Sequence, residues 1–99
     1  MVTIEGNRIV GTGAIRYFEE GVCELKRLWL LTEYQGKGLG YRIIQELLTF
    51  ARRKGYKRIR LETDPIQQKR AYDLYRRLGF YGIENDNLHE DDVMMEMIL

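Results

Sequence analysis

Ninety-nine residues suffice for one compact domain that buries roughly 60–70% of its unfolded surface, a real core with little to spare. Hydrophobic residues at 44% and charged residues at 31% describe a folded globular chain and exclude a disordered one. Sixteen Lys+Arg against fifteen Asp+Glu leave a net charge of +1, which excludes a bulk electrostatic attraction to nucleic acid or anionic membrane.

The first half reads as strands. Thr3-Ile4-Glu5 precedes the hairpin signal Gly6-Asn7-Arg8, and the run from Ile9 to Phe18 follows. Ile9, Gly11, Gly13, Ile15 and Tyr17 share one face of that run. Glycines there weaken a strand unless something must approach closely. Glu19-Glu20-Gly21 makes the next turn, and Val22 to Leu31 forms a third strand that completes an antiparallel meander. Strict alternation would put Glu24, Lys26, Leu28 and Leu30 on one face and Cys23, Leu25, Arg27 and Trp29 on the other.

The period then changes. Beyond Gln35-Gly36-Lys37-Gly38-Leu39-Gly40, the residues Leu39, Ile43, Leu47 and Phe50/Ala51, flanked by Ile44 and Leu48, form a helical stripe. Arg52-Arg53-Lys54 oppose the helix dipole in the last turn, and Gly55 suits the C′ position. Arg58 to Thr63 alternates as a strand until Asp64-Pro65 breaks it. Gln67 to Leu78 is a second helix with Ala71, Leu74, Tyr75 and Leu78 inward, closed by Gly79. Phe80 to Ile83 is a short strand, Asn85 to Asp92 a polar acidic loop, and Val93 to Leu99 a last apolar strand. The order β-β-β-α-β-α-β-β predicts a single α/β domain, residues 1–99, with a mixed β-sheet.

The glycine-rich turn before the first helix is the most informative segment. A helix N-terminus exposes about four amides without intrahelical partners and carries roughly half a positive charge. Glycines at 36, 38 and 40 let the backbone curl these amides into an anion nest suited to phosphate. The spacing is neither a Walker A loop nor a Rossmann fingerprint. The alternative reading is a simple tight turn.

Two longer stretches carry a resemblance. Cys23-Glu24-Leu25-Lys26-Arg27-Leu28-Trp29-Leu30 followed by Gln35-Gly36-Lys37-Gly38-Leu39-Gly40 resembles the acyl-CoA-binding motif of the GNAT superfamily of N-acetyltransferases. Ala71-Tyr72-Asp73-Leu74-Tyr75-Arg76-Arg77-Leu78-Gly79-Phe80 is similar to the family's second signature, and the likeness runs through essentially the whole chain. Family members usually begin with a strand and one or two helices that wall the acceptor site, whereas this sequence starts at what would be the second strand. Those elements are dispensable here, or the chain is a fragment, or another subunit supplies them.

The resemblance implies an N-acetyltransferase that binds acetyl-CoA in a cleft between two splayed parallel strands. Gly36, Lys37, Gly38, Leu39 and Gly40 would give amides to the pyrophosphate, Gln35 would fix the turn, and the backbone at Leu28 and Leu30 would pair with pantetheine. Lys37 reads equally as a solvated loop lysine. A neutral primary amine would attack the thioester directly, with Tyr75 as the acid beside the sulfur, or else a core tyrosine. Glu24, eleven residues before Gln35, and Glu62 are the two candidates for the base. Glu24 is preferred because alternation puts it on the face of Leu28 and Leu30, a parity that a bulge would spoil. Relatives often carry an asparagine where Gln68 stands, and its longer side chain alters or loses a pantetheine contact. The rival reading is a non-catalytic acyl-CoA-binding or regulatory module.

Other features have simpler readings. The segment from Arg52 to Arg77 holds ten basic and three acidic residues, read as dipole-matched solvated charge in preference to a nucleic-acid patch. The five acidic residues from Glu84 to Asp92 read as a solvated loop containing an exposed His89. A single cysteine, Cys23, forms no internal disulfide, and a single histidine argues against His-rich metal ligation and a Ser-His-Asp triad; no metal is expected. No apolar run approaches ~20 residues, and MVTIEGNRIV lacks a signal-peptide core, so the expected compartment is the cytoplasm. A shortened domain should expose apolar sheet or helix surface, which predicts a homodimer.

Overall fold

The computed structural model describes residues 2–5, 8–30, 38–83 and 92–99. Their elements run β1 (Val2–Glu5), β2 (Arg8–Glu19), β3 (Val22–Leu30), α1 (Leu39–Arg53), β4 (Arg58–Thr63), α2 (Lys69–Leu78), β5 (Tyr81–Ile83) and β6 (Val93–Ile98). The strands form one mixed sheet in the order β1-β2-β3-β4-β6-β5, with β3 and β4 as its parallel pair. The predicted turn at 6–7 and the acidic loop through residue 91, including His89, lie outside the described residues.

Both helices pack on one face of this sheet. Cys23 and Leu25 on β3, Ile59 and Leu61 on β4, and Met95 and Met97 on β6 meet Ile43, Ile44, Leu47, Leu48 and Ala51 of α1 and Tyr75 of α2 in one buried cluster. Phe80, just before β5, joins it and presents an aromatic edge to Tyr75 at 5.6 Å. The predicted α1 stripe is therefore buried, except that Phe50 is exposed beneath Lys54. Ile59 is wholly buried. Ile59→Ala is therefore expected to lower the unfolding free energy by about 2–5 kcal/mol, read from a urea titration.

Gly13 shows why β2 carries glycine on its helix-facing side. A Cβ there would come within 2.8 Å of Leu47 Cδ1 and 3.0 Å of Ile43 Cγ2, so α1 crosses β2 at backbone distance. Valine suits strands elsewhere, yet Gly13→Val is expected to destabilise by about 1–3 kcal/mol through overpacking. A denaturation midpoint unchanged from the wild type would contradict this packing.

The face turned away from the helices is charged. Glu24 is only 6% exposed and Glu96 only 4%. Arg16 and Lys26 approach Glu24 at 3.2 and 3.4 Å, and Arg58 and Arg60 approach Glu96 at 3.3 and 3.6 Å. The Tyr81 hydroxyl also donates to Glu96 (3.1 Å), and Arg60 stacks on Phe18. Part of the basic segment is thus committed to cross-strand carboxylates.

Alternation along β3 does not hold over its whole length. Ala14 pairs with Lys26 but Thr12 pairs with Trp29, so β3 carries one extra residue between Lys26 and Trp29. This bulge turns Leu28 to the helix side, where it packs on the core beside Gly13. Glu24 and Leu28 therefore do not share a face, which removes the parity that favoured Glu24.

Candidate active site

The parallel pair β3/β4 zips for three residues only: Val22 with Arg58, Cys23 with Ile59 and Glu24 with Arg60. Beyond that point both strands continue, β3 to Leu30 and β4 to Thr63, without pairing to each other. The bulge bends β3 away where the gap opens. Each strand keeps its outer neighbour, since Leu30 still pairs with Gly11 on β2 and Thr63 with Val93 on β6. The backbone facing the gap thus forms an internal sheet edge, able to accept an extended guest by hydrogen bonding like an added strand.

A cleft of about 500 Å³ occupies this opening, and its walls include Leu25, Lys26 and Leu28 from β3 and Leu61 and Glu62 from β4. Gln68, at the N-cap of α2, and Tyr75 within it line the cleft as well, as do Asp64 and Asp92. A larger groove of about 710 Å³ between β2 and α1 has Ala14, Ile15 and Leu47 in its wall. Ala14 and Ile15 are both paired to β3, so that groove offers no comparable gap between strands.

Of the two candidate bases, only Glu62 borders the cleft. Its Oε1 is buried and has no hydrogen-bond partner among the described residues. An orphaned buried acceptor costs about 1–3 kcal/mol. Glu24 lies at the last zipped pair, and its carboxylate is held by Arg16 and Lys26.

Tyr75 is buried, and burial pushes its phenol up to about 12. It lies on the inner stripe of α2 within the core and lines the cleft at the same time. Burial likewise raises the Cys23 thiol to about 11, and its sulfur donates to the Arg58 carbonyl at 3.8 Å. Cys23 is therefore expected to stay silent toward a disulfide reagent in the folded protein and to react on unfolding. Titration with such a reagent checks it.

The end of β4 is pinned locally. Asp64 Oδ1 accepts from the amides of Ile66 (2.9 Å) and Gln67 (3.1 Å), which stops the strand and starts the turn into α2. Gln68 Oε1 accepts from Thr63 Oγ1 (3.0 Å) and from the Asp64 amide (3.2 Å). The carbonyl of Gln68 is thus engaged within the protein, and its amide group keeps two donors for a guest.

At the N-terminus of α1, Gly38 adopts φ +81°, which favours glycine, and its carbonyl accepts from the Arg42 amide at 3.1 Å. Among the described residues no side chain caps this end, and no acidic residue occupies the first turn. A helix N-terminus leaves its first amides without intrahelical partners, which favours an anion there. Gln35, Gly36 and Lys37 lie outside the described residues. Sequence reasoning missed Lys26, Asp64 and Asp92 as cleft residues, because their place at the opening follows from the β3/β4 register and not from spacing along the chain.

A cleft at the split of a parallel strand pair, in a mixed sheet with both helices on one face, defines the class of fold. The Acetyltransferase (GNAT) family model matches residues 1–80, and the chain belongs to that family. It is 37% identical over 87 residues to the uncharacterised N-acetyltransferase YjgM of Escherichia coli (strain K12), covering 85% of this chain and 51% of that protein. An acetyltransferase from Streptococcus agalactiae superposes with a TM-score of 0.87 at 26% identity, covering 99% of this chain and 65% of the other. The PaiA N-acetyltransferase of Thermoplasma acidophilum, solved in complex with coenzyme A, shares the fold at a TM-score of 0.85 and 22% identity, covering 99% and 58% of the two chains. The chain spans about half the length of the E. coli relative. Among the described residues, no helix is long and apolar enough to cross a membrane, and no cluster of His, Cys, Asp or Glu could hold a metal ion.

Proposed function

We propose that residues 1–99 act as one unit that binds acetyl-CoA and transfers its acetyl group to a primary amine by direct attack. The observation that carries this reading is the β3/β4 opening, bordered at once by Glu62, whose buried Oε1 has no hydrogen-bond partner among the described residues, and by the buried Tyr75. Bound acetyl-CoA supplies an acetyl group activated as a thioester.

The chain's own groups do the rest. Amides at 36–40 hold the pyrophosphate, with Gln35 fixing their turn and Lys37 adding a charge. The gap-facing backbone near Leu28 and Leu30 fixes the pantetheine as a strand would, and the amide group of Gln68 donates to it. Holding amine and thioester in contact provides most of the acceleration, since oriented pairs reach effective molarities of about 10⁵ M or more. Glu62 takes the proton that an amine of pKa near 10 must lose. The Tyr75 hydroxyl donates a hydrogen bond to the departing sulfur.

Release of free thiol from acetyl-CoA with a panel of primary amines tests the reading. Amine-dependent release is expected. Binding of acetyl-CoA without release for any amine would overturn it in favour of a non-catalytic acyl-CoA-binding module. The same proposal includes self-association, because Trp29, Phe18 and Ile98 stand exposed on the sheet. Sedimentation at high concentration should show a dimer, and a strictly monomeric profile would contradict that part.

A further inference from the structure

We infer that Glu24 is a positioning residue, which holds the Lys26 ammonium away from Glu62 so that the cleft carboxylate stays available to a substrate amine. The inference rests on the reading of Glu62 as the base. Glu24 and Arg60 are the last registered pair of β3 and β4. Lys26 and Glu62 each lie two residues further on, and the β3 bulge begins only after Lys26. They therefore occupy the same sheet face as Glu24 and Arg60, on opposite banks where the strands part, and both line the cleft.

A lysine placed there would ordinarily pair with the carboxylate across the gap. Instead Lys26 Nζ lies 3.4 Å from Glu24 Oε2, and Glu62 Oε1 has no partner among the described residues. Glu24 is fixed from the other side by Arg16, whose Nη2 and Nε reach Glu24 Oε1 at 3.2 and 3.4 Å. One buried acid thus takes up the cation that would neutralise its neighbour.

Without Glu24, Lys26 is released toward Glu62. An ammonium drawn to Glu62 pairs with its carboxylate, weakens it as a proton acceptor and repels an incoming ammonium. Among the described residues, the other charged groups near Glu62 are Asp64 and Asp92 in the cleft wall and Arg60 and Glu96 on the adjoining sheet face, with neutral Tyr75 on α2. None of these is altered by the substitutions below.

The test measures amine-dependent thiol release from acetyl-CoA by the whole chain, with kcat and KM for the amine separated. In Glu24→Gln, kcat/KM for the amine is expected to fall by about tenfold with acetyl-CoA affinity unchanged, and to return in Glu24→Gln combined with Lys26→Met. An unchanged value in Glu24→Gln, or a fall that Lys26→Met does not reverse, overturns the proposal. Lys26→Met alone covers the case in which Glu24→Gln fails to fold: a value near wild type supports sequestration. A rise of about tenfold means that Lys26 already sits over Glu62 and overturns it. Failure of the base reading shows separately, as undiminished thiol release by Glu62→Gln with the amine panel.

Discussion

Glu62→Gln is expected to lower kcat/KM for the amine by about 10²–10⁴-fold, with acetyl-CoA affinity and thermal stability close to wild type. The substitution keeps the shape of the side chain and removes only its capacity to accept a proton. Because Oε1 has no hydrogen-bond partner among the described residues, the change breaks no bond of the folded structure there. The loss therefore belongs to the transition state and should appear equally in kcat and kcat/KM. A rate within about threefold of wild type would show that bulk water deprotonates the amine and that the orphaned oxygen has another use.

Tyr75→Phe is expected to lower kcat by about 10²-fold while retaining the fold, since the ring keeps its edge contact with Phe80. The direction of the acidity shift defines the role. A phenol raised to about 12 holds its proton more firmly than a thiol of pKa near 8.5 does. Full transfer to the sulfur is therefore uphill, and the hydroxyl acts chiefly by hydrogen bonding. It stays protonated through neutral and mildly alkaline pH, so kcat should show no Tyr75-dependent alkaline limb below about 11. The same shift has a stability consequence. The folded phenol ionises near 12 and an ordinary one near 10, so stability present below 10 is lost as pH rises through that window. Tyr75→Phe should flatten this loss in alkaline unfolding curves.

Much of the fold is legible in the sequence because its periods are clean. The α1 stripe of Ile43, Ile44, Leu47, Leu48 and Ala51 and the inward Ala71, Leu74, Tyr75 and Leu78 of α2 join the core as the 3.6-residue spacing requires. The eight elements follow in the predicted order, with edges shifted at α2, which begins at Lys69, and at β5, which begins at Tyr81. Asp64 and Gln68 explain the first shift: their hydrogen bonds hold residues 64–68 in a turn before the helix starts.

The site is legible only in part. Motif resemblance leads to Tyr75, Glu62 and Gln68, all of which line the cleft. It cannot rank Glu24 against Glu62, because that ranking depends on a bulge detectable only through the partner strand. Nor can it foresee that Glu24 is buried, since the neighbours that bury it come from β2 and from further along β3. Cross-strand partners are set by register, and register is a property of the assembled sheet.

Titration of coenzyme A into the protein, followed by calorimetry and by backbone amide shifts in parallel, tests the central claim most directly. One molecule is expected to bind with measurable heat and to move the amides of Leu25, Leu28, Gly38, Leu39, Gly40, Leu61 and Gln68 together. An absence of heat, or shifts confined to the groove between β2 and α1, would contradict the assignment of the split strand pair as the acyl-CoA site.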